Sequence, residues 1–306
     1  LLGDTWLVNS LIKQLNRIQY KWKGRIVPYI PIDISNLREE LIDAKYDFII
    51  AATKFSQNDI KKIKKNTNVY YLPHIIHKKF KKLQNIEELK IKYLGEENKD
   101  KFIIGAFNAN SIRKRWDIIL ESFCRFNNIH RNSFLMLKTS RLNYRPNNSH
   151  SSGFILEKLI NDTFTRFNVS KDNIKIITDR VDLDTLNEMY NCVDIFINST
   201  DGEGFGLIPF EVAQLNKVTI MPNYSSFSTF FDNKRYNFMT DVKVYPSSLI
   251  RDYDNITNIL SGNQYFCVYK SSESNVKQKV SFENNLLYVS PIIKTIIVSN
   301  NGSDNI

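Results

Sequence analysis

Between Lys101 and Met221 the chain alternates short apolar runs with amphipathic stretches. Residues 102–107, 134–138, 174–178, 194–199 and 218–221 have the length and the apolar content of parallel strands buried on both faces. The stretches between them repeat their apolar positions with a helical period. Trp116, Ile119, Leu120 and Phe123 share one helical face, and helices are also predicted over 154–167, 183–191 and 209–215. Asp182 stands where the helix over 183–191 needs an N-cap. Strand and helix alternating through short connections predict an open parallel sheet with helices on both faces.

The flanking sequence extends this picture. Residues 46–52 form a further buried-strand pattern, a lysine-rich amphipathic helix follows over 55–65, and residues 69–73 form a strand stopped by Pro73. Residues 83–100 are highly charged and read as a linker preceded by a helical piece. The expected organisation is a partial α/β unit plus linker over 1–98, a Rossmann-like unit over 99–240, and an extension over 241–306. Within the extension, 286–289 and 295–298 have strand character, and the Asn/Ser/Gly-rich residues 299–306 suit a frayed end. The predicted fold class is α/β with two doubly wound, Rossmann-like units, the first of them incomplete.

Composition narrows the setting. Of 306 residues, 42% are hydrophobic and 24% charged, a globular balance. No apolar run is long enough to span a bilayer. Cys124, Cys192 and Cys267 lie far apart without metal-ligand spacing, and the triplet Asn198-Ser199-Thr200 falls at the end of a core strand where no glycan fits. A reduced, cytoplasmic setting is therefore expected. The chain opens on Leu1 rather than on Met, so sequence encoded upstream is not seen. The net charge of +10 suits an anionic partner, but a general bias toward Lys, Asn and Ile gives the same number. Two lysine groups are dense: Lys61, Lys62, Lys64 and Lys65, and Lys78, Lys79, Lys81 and Lys82. Such clusters read as a weak anionic-membrane face or as ordinary solvated surface. Single-strand nucleic-acid binders interleave aromatics with basic residues, and these clusters do not, so no nucleic-acid partner is expected.

The segment with most chemical content is Ser199-Thr200-Asp201-Gly202-Glu203-Gly204-Phe205-Gly206-Leu207-Ile208-Pro209-Phe210-Glu211. It joins a predicted strand to a predicted helix, at the sheet edge where α/β proteins bind ligands. Gly204 and Gly206 let backbone N–H groups approach an oxygen-rich ligand. Pro209 fits a first helical turn, and the helix start offers N–H groups to a phosphate. Glu203 and Glu211 are carboxylates able to accept pairs of hydroxyls, as in a sugar or ribose diol. A glycine-containing turn flanked by solvated glutamates would satisfy GxG alone. A second segment, Asn108 to Asp117, sets Arg113, Lys114 and Arg115 at a helix start. The helix dipole disfavours cations there, and a bound diphosphate would remove the conflict.

The whole phrase S-x3-EGFGL-x3-E-x-A, with seven residues between Glu203 and Glu211, resembles the signature of the retaining glycosyltransferases of family 4, which have the two-domain GT-B fold. The resemblance covers roughly residues 40–235. It implies that Glu211 holds the donor ribose, that Glu203 faces the transferred sugar, and that the backbone of Gly204, Phe205, Gly206 and Leu207 contacts sugar and diphosphate. It implies further that Lys114 neutralises the diphosphate. The family's Arg position is Asn108 here, and Arg113 is the substitute expected in that role. Ile176-Ile177-Thr178-Asp179-Arg180-Val181, before a helix, resembles the strand and loop that touch the donor base. Leu72-Pro73-His74-Ile75-Ile76-His77 resembles the proline-led segment before the interdomain linker, with His74 and His77 read as structural loop residues. The resemblance places the start of the acceptor-side domain before Leu1. The expected donor is a nucleoside-diphosphate hexose and the acceptor an unknown glycan, lipid or protein. Neither cofactor nor metal is expected: Asp182-Leu183-Asp184 mimics a metal motif, but Asp182 is read as a cap. The rival reading is a non-catalytic or partner-dependent nucleotide-sugar-binding module, favoured by Asn108.

Overall fold

The computed structural model describes residues 5–17, 25–33, 46–143, 153–231, 237–240, 242–246 and 265–269, with the single positions 35, 37 and 42. The strands read at 286–289 and 295–298 lie outside the described residues. Helix α1 (Thr5–Arg17) precedes a three-stranded parallel sheet ordered β1 (Tyr29–Ile30), β2 (Ile49–Ala51), β3 (Val69–Tyr71), with α2 (Lys54–Ile63) as the crossover. Thr53 caps α2 by accepting from the Ser56 amide at 2.9 Å. Ile30, Ile49, Ala51, Ile60 and Val69 form the core of this unit.

The larger sheet is that expected from the alternating pattern. In chain order its elements are α3 (Ile86–Leu94), β4 (Phe102–Phe107), α4 (Trp116–Ile129), β5 (Ser133–Lys138), α5 (Leu156–Arg166), β6 (Ile174–Ile177), α6 (Leu183–Cys192), β7 (Ile195–Ile197), α7 (Leu207–Ala213), β8 (Val218–Pro222), α8 (Phe227–Phe230) and β9 (Asn237–Thr240). The six strands are all parallel, in the order β6-β5-β4-β7-β8-β9. Ile104, Ala106, Leu135, Leu137, Ile195 and Ile197 face α4 and α5, where Trp116, Phe123 and Phe164 complete one core. Alternate residues Ile103, Phe107, Phe134, Met136 and Phe196 face the opposite way onto Leu89, Met189, Tyr190 and Val212. Both faces are apolar, as a parallel sheet under two helical layers requires.

Two observations concern the stretches at the edges of the expected units. Phe80, Leu89 and Leu94, in the stretch assigned to the first unit and its linker, are buried in the second core. The charged residues around them face outward on an amphipathic helix. The segment entering α3 is also pinned to α6: Lys81 N donates to Asn187 Oδ1 and Leu83 N to Asn191 Oδ1, both at 2.9 Å. In the extension, β10 (Val242–Pro246) and β11 (Tyr265–Tyr269) pair antiparallel.

The strand order has one functional consequence. After β4 the chain builds outward through β5 and β6, then returns to β4's other side as β7. The loops after β4 and β7 therefore diverge at the carboxyl edge and leave a crevice, the position where doubly wound sheets take ligands.

Candidate active site

The loop after β4 contains a 3-10 turn at Ile112–Lys114, and Arg115, in the left-handed region at φ 50°, begins α4. The loop after β7 holds this turn by its carbonyls. The Asp201 amide donates to Arg113 O at 2.9 Å, and the Ser199 hydroxyl lies 2.9 Å from Arg115 O and 3.1 Å from Lys114 O. The two segments singled out in the sequence thus form one structure.

Their side chains meet in a chain of charges. Lys114 donates to Glu203, and both side chains are nearly buried, at 11% and 12% exposure. Arg113 Nη1 lies 3.3 Å from Glu203 Oε2 and also donates to Gly202 O. Burial would raise the Glu203 carboxyl, but Lys114 and then Arg113 outweigh it and hold Glu203 below the ordinary range, so it stays ionised. Burial works against the Arg113 charge as well, but Asp33 and Glu203 outweigh it and push its pKa up. Arg115 turns away and pairs with Asp117 at 2.8 Å and Asp201 at 3.4 Å. The cationic run at the helix start is therefore reconciled with the dipole by carboxylates of the chain itself, without requiring the diphosphate that the sequence suggested. Arg113 and Lys114 face the crevice, whereas Arg115 belongs to the scaffold.

Glu211, the second carboxylate of the signature, is the fifth residue of α7 and accepts from Tyr190 Oη at 2.7 Å. Tyr190 is fully buried and stacked on Phe107, so it fixes the carboxylate from below. Burial raises the Glu211 pKa, against the opposing effect of the Tyr190 hydrogen bond. A raised pKa gives affinity a definite sign with pH. If the ionised form accepts the ribose diol, nucleoside-diphosphate binding strengthens as pH rises through that raised value, and Glu211→Gln flattens the profile. Calorimetry between about pH 5 and pH 8 checks this, and a profile unchanged by Glu211→Gln would place the ribose elsewhere.

Between the two glutamates, Gly206 lies in the left-handed region at φ 86° and starts α7, which places Pro209 in the first turn. Phe205 is buried against Phe210 and Phe230, while Leu207 is exposed. The Gly204 backbone faces Pro31 and Asp33 of the first unit, and a Cβ there would collide with Pro31. His74, read as a structural loop residue, packs edge-on against Phe205 with ring centroids 4.7 Å apart. The Tyr29 hydroxyl donates to Leu72 O at 2.8 Å, which leaves its oxygen to accept from His74 Nδ1 at 3.2 Å. Burial lowers the His74 pKa and favours the neutral ring. Asn108 is buried, and its side-chain amide nitrogen has no hydrogen-bond partner. His77 makes a local contact, accepting from Lys79 N at 3.2 Å. Asp182 caps α6 by accepting from Thr185 N at 2.8 Å, and Asp184 pairs with Lys79. Among the described residues no group of three or more His, Cys, Asp or Glu side chains is placed to hold a metal ion.

No family model matches the sequence, and no curated protein sequence matches it. Solved structures do match. Sucrose-phosphate synthase from Thermosynechococcus elongatus superposes with a TM-score of 0.61 at 12% identity, over 78% of this chain and 60% of that one. HepE from Anabaena in complex with UDP-glucose gives 0.59 at 14% identity, over 97% of this chain and 76% of that one. The fold is GT-B. Trehalose-6-phosphate synthase from Burkholderia multivorans also superposes, at a TM-score of 0.53 and 10% identity, over 72% of this chain and 56% of that one. The chain thus spans a little over half the length of the two synthases. In the GT-B frame the crevice between the loops after β4 and β7 opens toward the smaller sheet, whose residues Pro31, Asp33 and His74 meet it.

Proposed function

We propose that the chain is a glycosyltransferase that moves a hexose from a nucleoside-diphosphate sugar to an acceptor with retention of anomeric configuration. The carrying observation is the meeting of Arg113, Lys114 and Glu203 where the loops after β4 and β7 diverge. Two cations fixed beside Glu203 offset charge developing on a departing diphosphate, the part a metal would otherwise take. Glu211 binds the ribose, Glu203 faces the transferred sugar, and the backbone of Gly204 to Leu207 donates to sugar and diphosphate. The GT-B neighbour HepE has been solved with UDP and with UDP-glucose, which supports this class of donor. Incubation with UDP-, GDP- or ADP-hexose in the presence of EDTA, followed by proton NMR, tests the reading. Release of nucleoside diphosphate and a product with the donor's anomeric configuration is expected. Inversion would refute retention, and loss of turnover with EDTA would refute metal independence. Binding without turnover would favour a nucleotide-sugar-binding module, a reading to which Asn108 in the Arg position lends support.

The acceptor side carries a second expectation. Lys62 and Lys79 are paired with Asp59 and Asp184, but Lys61, Lys65, Lys78, Lys81 and Lys82 are exposed. We propose weak docking of these lysines on anionic membranes, since each lysine near such a surface contributes about 1 kcal/mol. Co-sedimentation at low salt should favour anionic over neutral liposomes, and high salt should abolish the preference. Equal sedimentation with both would leave the lysines as solvated surface.

A further inference from the structure

Asp33 is a carboxylate that the donor-site reading does not use, and it enters the crevice from the first unit. It follows β1, and its Oδ2 lies 3.5 Å from Arg113 Nη1, with the two side chains 37% and 33% exposed. Its other oxygen lies against Gly204, on the stretch of backbone assigned to sugar and diphosphate. Residues flanking Asp33 are fastened to the loop after β8. The Tyr224 hydroxyl accepts from Ser35 N at 2.9 Å and shares a hydrogen bond with Ser35 Oγ at the same distance. Ser225 Oγ lies 2.5 Å from Asp33 O.

Charge counting shows what this arrangement does. Arg113 and Lys114 supply two positive charges, and Glu203 and Asp33 supply two negative ones. These four charges balance while the two units touch, and a diphosphate entering would meet two carboxylates. Glu203 belongs to the same unit as the cations and is held by both of them. Asp33 belongs to the other unit and leaves with it. We propose that Asp33 is a built-in stand-in for the donor's phosphate: it latches the crevice shut on Arg113, and an arriving diphosphate displaces it. This inference rests on the donor-site reading.

Ser225 supplies a way to release the latch. Its buried hydroxyl has one proton and two carbonyl acceptors, Asp33 O at 2.5 Å across the units and Glu203 O at 2.9 Å within its own. When the first unit moves off, the proton turns to Glu203 O, so opening leaves no buried donor without a partner. Ser225 holds the left-handed conformation at φ 58°, uncommon outside glycine. A backbone held there keeps the hydroxyl between the two acceptors.

Calorimetric titration with inorganic pyrophosphate tests the latch without knowledge of the nucleoside. Asp33→Asn keeps the size of the side chain and the carbonyl that Ser225 contacts. It should bind pyrophosphate about fivefold tighter than the wild type, the yield of a partly exposed ion pair that no longer competes. Lys114→Met serves as the control that loses binding. If Asp33→Asn unfolds, Tyr224→Phe loosens the same segment away from the cations and should shift affinity in the same direction. Equal or weaker binding by the altered latch, with Lys114→Met still losing it, would overturn the latch and leave the donor site standing. No pyrophosphate binding by the wild type or by either latch variant would overturn both.

Discussion

Replacing Lys114 by Met should cost the second unit about 3 kcal/mol of stability and remove most of its affinity for diphosphates. Lys114 and Glu203 are nearly buried and in direct contact. Deleting one member of such a pair leaves a buried charge without its main partner, typically at about 3–5 kcal/mol. The low end applies because Arg113 remains 3.3 Å from the same carboxylate. Chemical denaturation measures the first effect. The second is seen by comparing a nucleoside with its diphosphate, since only the diphosphate should lose affinity. The double variant Lys114→Met with Glu203→Gln should recover much of the stability without recovering binding. Additive losses of stability would show that the two side chains do not interact as described, and equal losses for nucleoside and diphosphate would take Lys114 off the phosphate.

The second large effect belongs to Gly206. Its φ of 86° disfavours any side chain, and a Cβ there would run into the Phe227 ring. Left-handed strain of about 1–2 kcal/mol adds to overpacking of about 1–3 kcal/mol, so Gly206→Ala should destabilise the second unit by roughly 2–5 kcal/mol in urea unfolding. Gly204 offers the contrast. Its missing Cβ faces Pro31 and Asp33, which belong to the other unit. Gly204→Ala should therefore leave the unfolding of the second unit nearly unchanged and loosen the contact between the units, read as a larger radius in small-angle scattering. A Gly206→Ala variant within about 0.5 kcal/mol of wild type would contradict the loop geometry.

Which parts of this arrangement could be read from the residues alone follows from their physics. The runs 102–107, 134–138 and 194–199 announce buried parallel strands because both faces of that sheet are covered, so nearly every position must be apolar. Other strands lack that mark. Tyr29–Ile30 has only two residues between Pro28 and Pro31, and Asn237–Thr240 is short and mostly polar at its ends. Both pair through a neighbour's backbone rather than through a pattern of their own. The candidate site divides in the same way. Glu203, Gly204, Gly206 and Glu211 are legible because one loop and one helix fix their spacing. Lys114 and Arg113 are legible because three cations at a helix start need an explanation. Asp33, Tyr190 and Ser225 carry no local signal. Ser225 meets Asp33 across 192 positions and Tyr190 meets Glu211 across 21, so only the packed chain brings them together. Arg115 shows the converse: its sequence position equals that of its neighbours, and its burial among Asp117 and Asp201 removes it from the crevice.

The central claim, that Arg113, Lys114, Glu203 and Glu211 form a nucleotide-sugar donor site, is tested most directly by a thermal-shift series with UDP-, GDP- and ADP-sugars. A ligand that binds only the native state raises the melting temperature, by an amount equivalent to about 2.7 kcal/mol at a hundredfold excess over its Kd. One of the three nucleotides should raise the melting temperature of the wild type in the presence of EDTA, and the same nucleotide should leave Lys114→Met and Glu211→Ala close to their ligand-free values. A wild-type melting temperature unmoved by all three, or a shift that survives in both variants, would contradict the assignment of this crevice as the donor site.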